Sequence, residues 1–240
     1  MSTDFFRQLV DAAAAPYRPS GRFAYHFARG KLVGDSIFRH LLENGILPAR
    51  GHFLDLGCGQ ALFASLLIAA RAACENGHWP AHWPDPPKVL SLQGIELMRR
   101  DVDRARKALG SRHPEIIIEQ GDIRAQTFPR VDVLTILDVF QYIEFDHQEA
   151  ILRRVRDALS PGGLFVTRIG DADAGLPFHV CNWVDRTATF ARGHRLPKLY
   201  CRSLDEWLHL LKGQGFTVET AGMSHGKPFA NVMLLARVAP

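Results

Sequence analysis

A chain of 240 residues, 47% apolar and 22% charged, has the balance of a soluble globular protein and the length for one large domain with a full core. Its net charge of +4 fits an ordinary solvated surface or an acidic partner, and no uncharged apolar run approaches the roughly 18 residues of a membrane span. The four cysteines (Cys58, Cys74, Cys181, Cys201) show no CxxC spacing, which argues against a disulfide framework or a thiolate metal site, and the first twenty residues lack the basic-then-apolar order of a signal peptide, so the cytoplasm is the expected compartment.

The first fifty residues read as helices broken at Pro16 to Gly21, the second piece carrying Phe23, Phe27, Leu32, Ile37, Phe38, Leu41 and Leu42 on one face. A strand follows at 52–56, then a helix over 60–74 and a loop at 75–88 dense in Pro, His and Trp. Next come a strand at 89–95, a helix at 98–109 and a strand at 115–119. The run VDVLTIL at 131–137 is nearly continuously apolar, as a parallel strand buried on both faces requires. A helix at 146–159, a turn at SPGG (160–163) and a strand through Ile169 complete the regular alternation. After a long irregular stretch, a helix capped by Ser203 spans 203–212, and two strands, 216–221 and 231–238, close the chain. This order predicts an α/β fold: a Rossmann-like, doubly wound, seven-stranded and mostly parallel sheet, one antiparallel strand at the C-terminal edge, and added N-terminal helices. The domain reading is an N-terminal helical cap over 1–50 and a main domain over 51–240, with an insertion at about 170–202 that is too long for a simple connector and, with its mix of aromatic, His and Arg residues, reads as a substrate lid.

FLDLGCGQALFASLL, at 53–67, has the syntax of a nucleotide-binding turn. The dinucleotide fingerprint G-x-G-x-x-G fails, because its third glycine position falls on Leu62. What remains is acid–x–Gly–x–Gly: Asp55, Gly57 and Gly59. The glycines let the backbone turn sharply and approach a ligand. An acid at the strand end would repel a pyrophosphate and attract an ammonium group, which points to a ligand joining a cationic amino-acid moiety to a nucleoside. Asp55 in an apolar run would be costly to bury without a partner. Cys58, between the glycines, reads as a small space-filler.

On LDLGCGQA, GIELM, EQGDIRA, VDVLTILDVFQYI and LSPGGLFVTR, in that order over most of 50–170, the sequence resembles the class I S-adenosylmethionine-dependent methyltransferases. The resemblance implies S-adenosylmethionine as cofactor. It implies that Asp55, Gly57, Cys58 and Gly59 form the cofactor loop, and that Glu96, followed by Leu97, binds the ribose hydroxyls. It implies that Asp122 meets the adenine amino group and that Ile123 packs on the ring. One bidentate carboxylate suits two cis-hydroxyls. The residue-level alternatives are an ordinary exposed acid for Glu96 and a helix N-cap for Asp122. The family's third glycine is Ala61 here, which reads as a slight loosening of the fit. Asp138, with Val139, stands where the methionine part or the substrate would lie. Arg29 and Lys31 either pair with the methionine carboxylate or are solvated surface charges.

Methyl transfer from a sulfonium is an in-line displacement with a neutral leaving group, so the protein's main work is alignment. Phe140 and Tyr142 are placed to favour the sulfonium, to grip the substrate, or to pack beneath the next helix. A general base is needed for a hydroxyl or activated carbon acceptor. The candidates are His179 and then His194, with Tyr142 as a further catalytic candidate. His78 and His82 repeat an HWP unit, but two histidines in a proline-bound loop do not make a metal site, and none is expected. LDVFQY lacks the NPPY-type tetrad of nucleic-acid amino-methylating enzymes, and no basic stripe is present, so no nucleic-acid partner is expected. The first fifty residues carry seven Lys/Arg against four acids, a net of +3. That excess suits an anionic small molecule, or a substrate tethered to an acidic acyl carrier protein. FARGKLVGDSIFRHLL resembles the opening of bacterial methyltransferases of aryl-polyene or xanthomonadin-type pigment pathways, which implies an aromatic acyl head group as acceptor. Two other classes stand beside this one: a non-catalytic cofactor-binding or interaction protein on the same fold, and a nicotinamide-dependent oxidoreductase, which Leu62 disfavours.

Overall fold

The computed structural model describes residues 2–110, 112–173, 199–223 and 231–239. His179 and His194 fall outside them. Seven strands form one sheet in the order β3-β2-β1-β4-β5-β7-β6, where β1 is Arg50–Leu56, β2 Lys88–Glu96, β3 Ile116–Gln120, β4 Val131–Leu137, β5 Leu159–Gly170, β6 Phe216–Gly222 and β7 Asn231–Val238. The strands β1, β2 and β3 pair parallel, and β7 runs antiparallel to both β5 and β6. The antiparallel strand predicted for the C-terminal edge is therefore β7, one place in from β6. The chain divides into two compact units, Met1–Val133 and Leu134–Pro240.

In the first unit the predicted N-terminal helices are three: α1 (Ser2–Ala14), α2 (Arg22–Gly34) and α3 (Ser36–Glu43), with a 3-10 turn at Ala15–Ser20. The single amphipathic stretch expected after Gly21 is split at Asp35, whose carboxylate accepts from the Ile37 N–H at 3.2 Å and so starts a new helix. The helix after β1, α4, spans Leu62–Glu75 and not 60–74, because Gly59 and Ala61 both hold left-handed backbone, with φ of 56° and 58°. Leu62 to Leu67 and Ala70 of α4 are all buried, as expected of a helix covered on more than one side. One covering is α1, since the Ser65 hydroxyl donates to the Ala13 carbonyl at 2.7 Å. The helix expected at 98–109 ends early: α5 is Arg99–Ala105, and Arg106–Gly110 is a wider π turn.

In the second unit α6 (Phe145–Ala158) buries Gln148, Ile151, Leu152, Val155 and Ala158, one stripe at helical spacing. SPGG does not form a separate turn. It belongs to β5, which bends at Gly162, where φ is 72° and the N–H donates to the Ala239 carbonyl. Helix α7 (Leu204–Gly213) has the predicted cap in full: Ser203 accepts from the Glu206 N–H, and the Glu206 carboxylate accepts from the Ser203 N–H.

Candidate functional site

Because β1, β2 and β3 are parallel, the loops that leave their carboxyl ends gather along one edge of the first unit. The loop after β1 is the predicted glycine turn. Gly57, Gly59 and Ala61 take φ of 74°, 56° and 58°, an alternation that folds the backbone into a shallow nest. Asp55 and Cys58 are buried. Burial pushes the Cys58 thiol well up, and the carboxylates of Asp55 and Glu96 push it further, so it is a neutral filler rather than a nucleophile. An added side chain at Gly59 would enter open space.

Glu96 ends β2 with its carboxylate turned onto this loop. Oε2 accepts from the Gly59 N–H and Oε1 from the Met98 N–H, each at 2.8 Å. Burial raises the Glu96 pKa above its usual 4.5, and the Met98 and Gly59 N–H groups pull against that rise. An ionised carboxylate has about four acceptor positions, so two backbone bonds leave capacity for a ligand's hydroxyls. Leu97, next in the chain, is 56% exposed. Ile123, after β3, is buried. Asp122 caps a turn rather than a helix: its carboxylate accepts from the Arg124 N–H at 2.9 Å and forms a two-pronged ion pair with the Arg124 guanidinium.

Residues 54–165 match the methyltransferase domain family. That match takes in just under half of the chain. Two curated relatives are carboxy-S-adenosyl-L-methionine synthases. The one from Chromohalobacter salexigens is 30% identical over 117 residues, 48% of this chain and 38% of that protein. The one from Campylobacter curvus is 25% identical over 142 residues, 59% of this chain and 51% of that protein. The chain thus spans about 38% and 51% of the length of these two relatives. Among solved structures, mitomycin 7-O-methyltransferase MmcR superposes with a TM-score of 0.62 at 21% identity, over 92% of this chain and 58% of that one, a likeness of fold.

The other predicted residues fall as follows. Arg29 and Lys31 lie on α2, Arg29 against Asp11 at 2.5 Å and Lys31 against Asp35 at 3.0 Å. In the second unit, Asp138 follows β4 with φ of 59°, a left-handed pose that aspartate tolerates better than most residues. Its carboxylate is gripped by Arg168 of β5, through Nε at 2.6 Å and through Nη2. The Arg168 side chain is 7% exposed. Val139 caps a short 3-10 turn, Phe140–Tyr142, whose last residue, Tyr142, donates its N–H to the Val139 carbonyl. Phe140 is a packing residue: it is 2% exposed and tilts against Trp207 of α7 at 4.9 Å between ring centres. No helix among the described residues is long and apolar enough to cross a membrane.

Four residues carry the architecture of these sites without having been singled out from sequence. Gly94 of β2 leaves room for Cys58, whose Sγ lies 2.8 Å from where a Cβ would be. Tyr17, fully buried, donates its hydroxyl to the Gln60 carbonyl at 2.6 Å. Arg168 holds Asp138. Gln148 of α6 donates to the carbonyls of Phe140, Ile143 and Tyr200 and accepts from Arg202 Nε. For Gly94 the available signal was a glycine two residues before the strand-end acid. The other three are tied to partners distant in sequence or read as ordinary surface residues.

Proposed function

We propose that the protein transfers the methyl group of S-adenosylmethionine to oxygen or carbon of a small acceptor, of aromatic or acyl (polyketide-like) character, free or tethered to an acyl carrier protein. The observation that carries this reading is the Glu96 carboxylate facing the Gly57–Ala61 nest with acceptor capacity to spare. The residues present fit the cofactor. Asp55 at the strand end suits its ammonium group, Glu96 its ribose diol, and Leu97, Asp122 and Ile123 its adenine. The open space over Gly59 admits close approach. The cofactor supplies an activated methyl on a sulfonium.

The protein's part is alignment and exclusion of water. Asp138, held by Arg168, and Val139 would orient the methionine portion or the acceptor, and Tyr142 would contact the acceptor. Arg29 and Lys31 would reach the methionine carboxylate only by leaving Asp11 and Asp35. His179 and then His194 are the proposed bases, within an insertion over about 170–202, and residues 1–50 are proposed as a cap. Net positive charge in those first fifty residues supports an anionic acceptor or an acidic carrier.

The test is calorimetric titration with S-adenosylhomocysteine, with NADH as control. Micromolar or tighter binding of the thioether alone is expected; binding of NADH instead would overturn the reading. If the thioether binds and no acceptor is methylated, the protein is a cofactor-binding or interaction protein on this fold. The two curated relatives favour a second reading, in which S-adenosylmethionine itself is modified to a carboxy derivative. Mass spectrometry of the nucleoside released on heating the purified protein separates the two, since only the second yields a sulfonium heavier by one carboxyl group.

A further inference from the structure

We propose that Tyr17 is a positioning residue for the cofactor, acting on Glu96 through a chain of three hydrogen bonds that runs across two peptide units of the glycine loop. The inference rests on the reading of Glu96 as the ribose-binding acid. Tyr17 sits in the 3-10 turn Ala15–Ser20, between two prolines, with no exposed surface. Its hydroxyl donates to the Gln60 carbonyl at 2.6 Å, with the Ala61 carbonyl at 3.2 Å. The other end of the Gln60–Ala61 peptide, the Ala61 N–H, donates to the Cys58 carbonyl at 2.8 Å. The other end of the Cys58–Gly59 peptide, the Gly59 N–H, donates to Glu96 Oε2 at 2.8 Å.

Every link points the same way, from phenol to carboxylate. A donor at one end of a peptide polarises the N–H at the other, so the chain strengthens the final bond to Glu96. It also explains how Ala61 keeps a left-handed backbone without being glycine: both ends of the peptide before it are pinned. Burial pushes the phenol far up, so Tyr17 stays a donor throughout the working pH range. The 3-10 turn is moored through the end of α1 just before it, where the Ser65 hydroxyl donates to the Ala13 carbonyl at 2.7 Å. Cofactor binding and docking of the N-terminal segment then become one coupled event.

The test compares S-adenosylhomocysteine binding by wild type and Tyr17→Phe between acid and neutral pH. Removing one neutral hydrogen bond of this kind should weaken binding about fivefold to tenfold at neutral pH. The acid limb, where affinity falls as Glu96 takes a proton, should move to higher pH, because its carboxylate is less well solvated by Gly59. A residue that merely stabilised the fold would leave that limb in place. The other titratable groups near Glu96 are Asp55 and Cys58 at the loop and Asp101 on α5; of these only Cys58 also interacts with Tyr17, and burial keeps both of those groups neutral over the acid range. Wild-type affinity with an unmoved acid limb in Tyr17→Phe would overturn the relay while leaving the cofactor site intact. Loss of binding by the wild type would take down the cofactor site and the relay with it. Should Tyr17→Phe fail to fold, Ser65→Ala carries the test. It loosens the mooring of the turn, is expected to cost about twofold to fivefold in affinity, and refutes the relay if affinity is unchanged.

Discussion

Replacing Glu96 by Gln separates a residue that builds the loop from one that binds the cofactor. The two carboxylate oxygens accept from Gly59 and Met98, each at 2.8 Å. Gln keeps the shape but has one acceptor oxygen, so one backbone N–H would face an NH2 group and lose its partner, at about 1–3 kcal/mol. Against this, the neutral amide escapes the burial penalty that raises the Glu96 pKa. The two effects oppose, and the net change in folding stability should stay within about 1 kcal/mol, or roughly 2–4 °C in Tm for a chain of this size. Binding has no such compensation. A hydroxyl bond to an ionised acceptor is worth about 1.5–3 kcal/mol, so S-adenosylhomocysteine affinity should fall roughly 10-fold to 150-fold. Thermal melts and calorimetry on the same preparations read both quantities. Affinity within twofold of wild type would refute the ribose assignment. A large fall in Tm, with binding lost only in proportion to unfolding, would make Glu96 a structural pin.

The pH dependence at Glu96 has opposite signs for binding and folding. Cofactor affinity should fall on acidification with a midpoint above the ordinary 4.5, because the ligand needs the ionised form, and titration calorimetry across acid buffers would show it. The residue's contribution to stability is greatest below 4.5 and is lost as pH rises through the raised value, so acid should not reduce stability through this group. Gly94→Ala would place a Cβ 2.8 Å from both Cys58 Sγ and Ile118 Cδ1, and should cost about 1–3 kcal/mol in chemical denaturation while also weakening cofactor binding. Gln148→Leu would strip a donor from three carbonyls and an acceptor from Arg202, with an expected loss of about 2–4 kcal/mol by denaturant melts. Ser203→Ala removes one half of the capping box and should cost about 1 kcal/mol, with cofactor affinity unchanged.

What could be read from the sequence was whatever is decided within a few residues. The apolar run at 131–137 is β4 to the residue, because burial on both faces leaves a continuous signature. Asp55, the glycine pair and Glu96 stand out because the chemistry of a strand-end turn is local. Helix starts were displaced where backbone conformation overrode composition, as at Leu62, and Asp35 divided a continuous apolar pattern by capping a new helix. Tyr17 carries no local signal: its meaning depends on a carbonyl 43 residues away. Gln148 reads as an ordinary polar helix residue until its three acceptors are seen to come from two segments, 140–143 and Tyr200. Ala61 shows the limit most clearly. In sequence it is a small residue in place of a glycine, a matter of volume. In the structure it and Asp138 are the two non-glycine residues with positive φ among those described, and each lies just beyond the carboxyl end of a strand. Such backbone persists only where its surroundings hold it, and the holders here are named: the pinned peptide between Gln60 and Ala61, and Arg168 on the Asp138 carboxylate. Conformation is therefore being held at the turns after β1 and β4, where a loop at a strand's carboxyl end would meet a ligand.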